Sequence, residues 1–514
     1  MARVKSLAGR DPPFPGPEEP LGGQFRGECG KGGVEAIGRQ RTRLKVPERE
    51  LVGSREYLQI ALAKGERSLC FQLASTGQHH ANSTAYSEKC PQLFVGRARE
   101  EMMTDAHMFD GAEVRRWTEQ RWLLDNVIAA NSIDWDQPRS RYFNAACGIE
   151  SNADFELIRQ KVRKFADFGP AFEAIAARRQ KKAQEALDEG HLVTARDNFY
   201  MAAIHWGAAI WPHHFTNDHV VMLNRKRREC YASYAKLADH QIHEVWIPFQ
   251  GKQLPAWFHL PPGYTGGKIP VVISMPGMDT FKEIFVSLSN DRWLARNVAV
   301  LAVDGPGQAE SLVLGTTVSV ENFLEAGQNI FDWVAKRPEV DTSKIGLFGN
   351  SFGSFTATLI ASHEPRLKAC AVSATCLEPG FHTLLETSSP TYKKRMIYMT
   401  GFTDEEPFDR FAKTLSLVGH SEKMSVPYLC VAGEAEELCP LHYVEQTLST
   451  IKSPKRYVVY QESRHAVGFV PSANLGPYPP TLVSDWMMDR FADKPLQSER
   501  WYVRADGSVD KTKL

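Results

Sequence analysis

After His240 the chain alternates short, apolar, β-branched runs with longer helical stretches, and no other feature restricts its fold as strongly. IPVVISM (269–275), VAVLAVD (298–304), KIGLFGN (344–350), LKACAVSA (367–374), PYLCVAG (427–433) and KRYVVYQ (455–461) read as strands. Runs that are apolar on both faces must be covered on both sides, which requires a mostly parallel sheet flanked by helices. VENFLEAGQNIFDWVAKR and FGSFTATLIASH supply such helices, and HEVWIPF and LPAWFHL form a hairpin around Gly251. The expectation is an α/β domain over 241–495. In such a sheet, ligands bind beyond the C-terminal ends of the strands. Those ends are where chemistry is sought.

The segment before His240 follows another period. Residues 102–240 read as a helical domain, with apolar residues every third or fourth position between Phe168 and Trp211. Gly190 divides that stretch into two helices, and Pro212 ends the second. Residues 1–101 are rich in Gly, Pro, Arg and Ser and hold neither period. They read as a disordered extension or as a mis-assigned start upstream of Met102 or Met103. Residues 496–514 read as a C-terminal tail.

Composition narrows the partners. The 61 Lys and Arg balance 61 Asp and Glu, so the basic excess of a nucleic-acid binder is missing. No run approaches the ~18 apolar residues of a membrane helix, and residues 1–20 hold no apolar leader core. The nine cysteines include no CxxC pair, which favours free thiols over a disulfide framework or zinc module. A cytoplasmic protein that acts on a small molecule, with no nucleic-acid or membrane partner, is expected.

One strand end carries a specific signal. Gly349-Asn350-Ser351-Phe352-Gly353 follows KIGLF and precedes a helix, so G-x-S-x-G stands in a strand–turn–helix context. Such a turn exposes the serine hydroxyl and aims the Phe352 N–H into the helix N-terminus, where negative charge is favoured. A hydroxyl needs a base to become a nucleophile, and His465 follows the late strand YVVYQES. A carboxylate should orient that imidazole. In Gly433-Glu434-Ala435-Glu436-Glu437-Leu438-Cys439-Pro440 the third position after glycine holds Glu436, with Glu434 and Glu437 as alternatives. An oxyanion hole needs a second N–H from the loop after the third strand. Gly277 permits close approach there, and Met278 is the expected donor beside Phe352. Asp279 either contacts substrate or caps the next helix.

Further residues suit a pocket. Glu378, on a loop at the edge of the site, is a second acid for a leaving group or else a surface carboxylate. The helical segment crowds Tyr200, His205 and Trp206 together, with His214 just beyond. Either these rings fill their own bundle, or some face the α/β domain as substrate contacts. His214 and Asp218, four apart, could share a metal, but no other metal signature supports this, and no metal is expected.

PGMDTFKE (276–283), DGPGQAES (304–311), GNSFGS (349–354), GEAEELCP (433–440) and SRHAVG (463–468), with the preceding helical segment, resemble one branch of the α/β-hydrolases. It groups FrsA-like esterases with 2,6-dihydropseudooxynicotine hydrolase and fungal polyketide-shortening pigment hydrolases. The resemblance covers about 106–495. It implies an α/β-hydrolase fold with an N-terminal helical cap, a cofactor-free serine hydrolase and a homodimer. Ala309 and Glu436 stand where the family more often has glycine and aspartate. The family cleaves ester and carbon–carbon bonds, which leaves an ester or an acyl or β-diketone compound as the expected substrate. The aromatic residues of the helical segment, where they face the site, favour one of aromatic or polyketide-like character. An acyltransferase using the same residues is an alternative, and a non-catalytic ligand-binding module is the alternative from another class.

Overall fold

The computed structural model describes residues 113–135, 139–288 and 292–514. The readings of residues 1–101 and of the start at Met102 or Met103 lie outside the described residues. Six helices open the described chain: α1 (Arg115–Asn131), α2 (Arg139–Cys147), α3 (Asn152–Lys161), α4 (Phe168–Asp188), α5 (Leu192–Ile210) and α6 (Asp218–Leu237). Gly190, at φ 79°, turns the chain between α4 and α5, a conformation that glycine adopts without the Cβ penalty. Asn217 starts α6 by accepting the Val220 N–H at 2.9 Å.

The strands form one ten-stranded sheet in the order β1-β2-β4-β3-β5-β6-β7-β8-β9-β10. β1 (Ile242–Phe249) and β2 (Lys252–His259) make the expected hairpin. β3 (Ile269–Met275), β4 (Ala299–Val303), β5 (Val340–Asn350), β6 (Ala369–Ser373), β7 (Tyr428–Gly433) and β8 (Lys455–Tyr460) run parallel. β3 lies between β4 and β5, so the strand order reverses there and opens a crevice at the strand ends.

Helices cover both faces. α7 (Val320–Ala335), started by the Ser319 side chain on the Asn322 N–H, and α8 (Phe352–His363) pack against each other on one face. α11 (Pro479–Phe491) buries Trp486, Met487 and Phe491 against Val272, Ala369 and Val458 on the other. Between them in sequence lie α9 (Pro390–Thr400) and α10 (Leu441–Thr450). The helical segment and the sheet share one continuous apolar core, reaching from Val114 through Phe172 and Trp211 to Val459. Among the described residues no helix is long and apolar enough to cross a membrane.

Residues 496–514, expected as a tail, extend the sheet instead. β9 (Glu499–Val503) pairs parallel with β8, and β10 (Val509–Lys513) returns antiparallel to it. The signal was present in Asp506-Gly507, a hairpin turn with Gly507 at φ 85°. Its flanking strands are polar enough to read as tail, because they lie at the sheet edge.

Candidate active site

Ser351 joins β5 to α8 with φ 58° and ψ −126°, a backbone region that costs about 1–3 kcal/mol for a residue with a side chain. The glycines around it make the turn possible. A Cβ on Gly349 would fall 1.9 Å from the Gly353 oxygen, and one on Gly353 would fall 2.3 Å from the Met275 oxygen. α8 therefore packs directly on the ends of β5 and β3, which lifts the hydroxyl into the crevice.

His465 lies on the loop after β8 and is buried. Its Nδ1 donates to Glu436, at 2.9 and 3.0 Å from the two oxygens, and its Nε2 accepts from Ser351 Oγ at 2.8 Å. The acceptor on one side and the hydroxyl on the other dictate this tautomer. Burial alone depresses the His465 pKa, but Glu436, helped by Glu437 and Asp279, outweighs it and holds the imidazole above its ordinary value. The neighbouring glutamates are occupied elsewhere. Glu437 accepts the His465 backbone N–H at 2.8 Å, while Glu434 accepts Tyr502 Oη and the Glu462 N–H. Glu436 is the carboxylate that faces the imidazole.

The loop after β3 passes beside Ser351. A Cβ on Gly277 would lie 3.0 Å from Ser351 Cβ, so a side chain here would have to push the serine turn away by a few tenths of an ångström. The Gly277 N–H is committed to Thr280 Oγ1 at 2.9 Å. Gly277 thus contributes space rather than a donor, while Met278 and Phe352 line the cavity in front of the serine.

That cavity holds about 290 Å³. Its walls are largely apolar and aromatic: Phe285, Trp293, Phe348, Phe352, Leu438, Phe469 and Tyr478. Its roof comes from Arg139 and Tyr142 of α2 and from Leu384 and Tyr392 of the stretch between β6 and β7. That stretch is tied to α1, since Arg116 donates to the Leu385 and Ser388 carbonyls, each at 2.6 Å.

Several expected contacts stand elsewhere. Tyr200 packs against Tyr231 and Tyr234, with ring centroids 6.3 and 5.0 Å away. His205 is fully buried between Phe155 and Phe172, with Asp154 3.5 Å from Nε2. Trp206 donates to Gln180 at 3.1 Å, and His214 stacks on Phe165 at 6.0 Å. None of the four lines the cavity; each packs against other residues of the helical segment instead. Glu378 is buried rather than on the surface. It accepts the Thr383 N–H at 2.9 Å and does not line the cavity either. Asp279 does line it, but both its oxygens accept from residues of the helical segment. Arg139 donates to one at 3.0 Å and Trp211 Nε1 to the other at 2.9 Å.

Sequence reasoning missed Arg139, Tyr142 and Tyr392. Nothing in the period of α2 says which strand-end loop it will meet, and the residues between β6 and β7 give no hint of a roof. His214 and Asp218, whose spacing could share a metal, are not the residues whose ligand atoms converge. Glu173, His213 and His219 present ligand atoms within 4.8 Å of one another, with His219 Nε2 2.8 Å from Glu173 Oε1. His214 belongs to an aromatic stack instead. Burial pushes His213 down to about 4, so its imidazole is neutral near pH 7.

Residues 171–404 match the family model described as FrsA-like esterase, a span that contains Ser351 but ends before Glu436 and His465. The chain is 29% identical over 252 residues to the α/β hydrolase xenA of Xenoacremonium sinensis, covering 47% of this chain and 58% of that one. It is 28% identical over 204 residues to the 20-hydroxy-prefusarin hydrolase FUS2 of Gibberella moniliformis, covering 38% and 48%. The chain thus spans about half the length of these relatives. The solved structure of 2,6-dihydroxy-pseudo-oxynicotine hydrolase superposes with a TM-score of 0.59 at 21% identity, covering 69% of this chain and 97% of that one. With its β3 crossover, its Ser351 turn and these likenesses, the chain has the α/β-hydrolase fold, and its residues 171–404 match the FrsA-like esterase model.

Proposed function

We propose that this protein is a serine hydrolase that cleaves a carbonyl-centred bond in an aromatic or polyketide-like small molecule. The bond is that of an ester, or the carbon–carbon bond of an acyl or β-diketone compound. The observation that carries this reading is the buried chain from Glu436 through His465 to Ser351, which opens onto an apolar cavity of about 290 Å³. Pockets of this size and lining suit compact, largely apolar ligands.

In this reading Ser351 Oγ attacks the carbonyl carbon as its proton passes to His465 Nε2. Glu436 holds the imidazole and stabilises the cation that forms. The Met278 and Phe352 N–H groups stabilise the tetrahedral oxyanion. His465 then protonates the leaving oxygen or carbon, and water activated by the same base releases the acid and restores Ser351. Atoms and charge balance without a cofactor, and a raised His465 pKa suits a base that must hold a proton between the two steps.

The names of the relatives support the hydrolase class, and the apolar lining supports the substrate class. The test is a panel of aryl esters, aryl amides and β-diketones assayed with the purified protein and with Ser351→Ala. Turnover of one class that disappears in Ser351→Ala supports the reading; equal turnover in both proteins rejects it.

A further inference from the structure

The loop beside Ser351 is gripped from behind by a residue that does not reach the cavity. Gln308 follows the turn DGPG after β4 and is fully buried. Its Nε2 donates to the Pro276 carbonyl at 2.7 Å and to the Gly277 carbonyl at 3.3 Å, while its Oε1 accepts the Gly305 N–H at 3.2 Å. These three partners fix which end of the amide faces the loop.

A peptide unit is planar and trans, so its carbonyl and its N–H point in opposite directions. The Gly277 carbonyl shares a plane with the Met278 N–H. Holding that carbonyl on Gln308 turns the Met278 N–H away from Gln308, and Met278 lines with Ser351 the cavity that Gln308 does not reach. The preceding peptide is held at both ends, by Gln308 on the Pro276 carbonyl and by Thr280 Oγ1 on the Gly277 N–H at 2.9 Å. Behind Gln308 the support continues. Asp304 accepts the Lys282 N–H at 2.8 Å and the Glu310 N–H at 3.2 Å. Lys282 Nζ in turn pairs with Glu283 at 2.8 Å, with Asp304 at 3.3 Å and with Glu310 at 2.5 Å. An oxyanion donor works through being fixed before the charge appears, since reorganisation during reaction would cost what the hydrogen bond returns.

We propose that Gln308 is the positioning residue of the oxyanion hole, setting the Gly277–Met278 peptide plane so that the Met278 N–H meets the developing oxyanion. This rests on the serine-hydrolase reading above. Gln308 touches no substrate and acts through the backbone it holds.

The test uses the full chain with a p-nitrophenyl aryl ester, an arylboronic acid that forms a tetrahedral adduct on serine, and the product carboxylic acid as a ground-state ligand. Gln308→Met keeps the volume and removes the donor. It should lower kcat roughly 10- to 100-fold with KM within about threefold, as a misaligned donor does. Boronate affinity should fall by the same factor and product affinity should not change. A kcat within twofold of wild type, or a loss that boronate affinity does not follow, overturns the proposal. Gln308→Glu supplies a second readout, and it carries the test alone if Gln308→Met does not fold. Only its protonated carboxyl can donate to the Pro276 carbonyl, so its activity relative to wild type should rise as the pH falls. A flat ratio overturns the proposal. Ser351→Ala, assayed in parallel, separates the two ideas. If it keeps turnover, the hydrolase reading falls and this inference with it. If it is inactive while Gln308→Met is unimpaired, only the role of Gln308 is lost.

Discussion

Asp279, on the loop after β3, accepts a hydrogen bond from Trp211 Nε1 at 2.9 Å, which ties the end of α5 to the wall of the cavity. Arg139 bonds the other oxygen and lies over the Trp211 ring at 3.9 Å, so one carboxylate joins the roof to the floor. Trp211→Phe removes the donor and keeps most of the ring. The loss of a partly buried, charge-assisted hydrogen bond costs about 1–3 kcal/mol. The expected result is a melting temperature lower by several degrees and a higher KM for bulky aryl substrates, read by calorimetry and steady-state kinetics. Unchanged values in both would show that this tie does not hold the roof.

Under the proposed mechanism, removing Ser351 or His465 should cost far more than removing a roof contact. Ser351→Ala and His465→Ala should each lower kcat by roughly 10³-fold or more with the fold intact by circular dichroism. Either variant retaining half of wild-type turnover contradicts the assigned roles.

In the proposed mechanism His465 acts as a base when neutral, so activity should rise with pH as it loses its proton. Because its pKa is held above the ordinary value of about 6.5, the acid limb of kcat/KM should have its midpoint above that value. In Glu436→Gln the neighbouring charge that outweighs burial is gone, so the midpoint should move to lower pH. The amide also no longer demands the correct tautomer, and kcat should drop roughly 10³- to 10⁴-fold. A pH profile unmoved by Glu436→Gln would remove Glu436 from the chain of proton control.

Substrate choice should follow the residues that line the cavity rather than the aromatic cluster of the helical layer. Tyr200→Leu should lower stability by about 1–3 kcal/mol and leave the ratio of kcat/KM between bulky aryl and short-chain esters unchanged. Tyr142→Leu and Tyr392→Leu, at the roof, should change that ratio with a smaller effect on stability. The opposite pattern would mean that the helical layer opens to the substrate.

The trio Glu173, His213 and His219 contributes no residue to the cavity lining, and the proposed steps need no metal. Exhaustive dialysis against a chelator should therefore leave kcat unchanged, and so should His219→Ala. Activity lost on chelation and restored by one divalent metal would show otherwise.

The sequence by itself determined the parallel sheet, the strand ends as the place of chemistry, and the identities of Ser351, His465 and Glu436 as candidates. Those features are local: a strand–turn–helix with glycines two residues either side of the serine, and polar residues just beyond apolar strands, are written in consecutive residues. Only the tertiary structure decided which glutamate meets the imidazole, since Glu434, Glu436 and Glu437 differ by the direction each side chain takes from one turn. It also decided that Tyr200, His205, Trp206 and His214 close the helical layer while Arg139 and Tyr142 roof the cavity. A helical period reports that a face is buried, not which partner buries it. The grip of Gln308 on Pro276 and Gly277 joins loops 31 and 32 residues apart, and it forms because β4 lies beside β3 in the folded sheet.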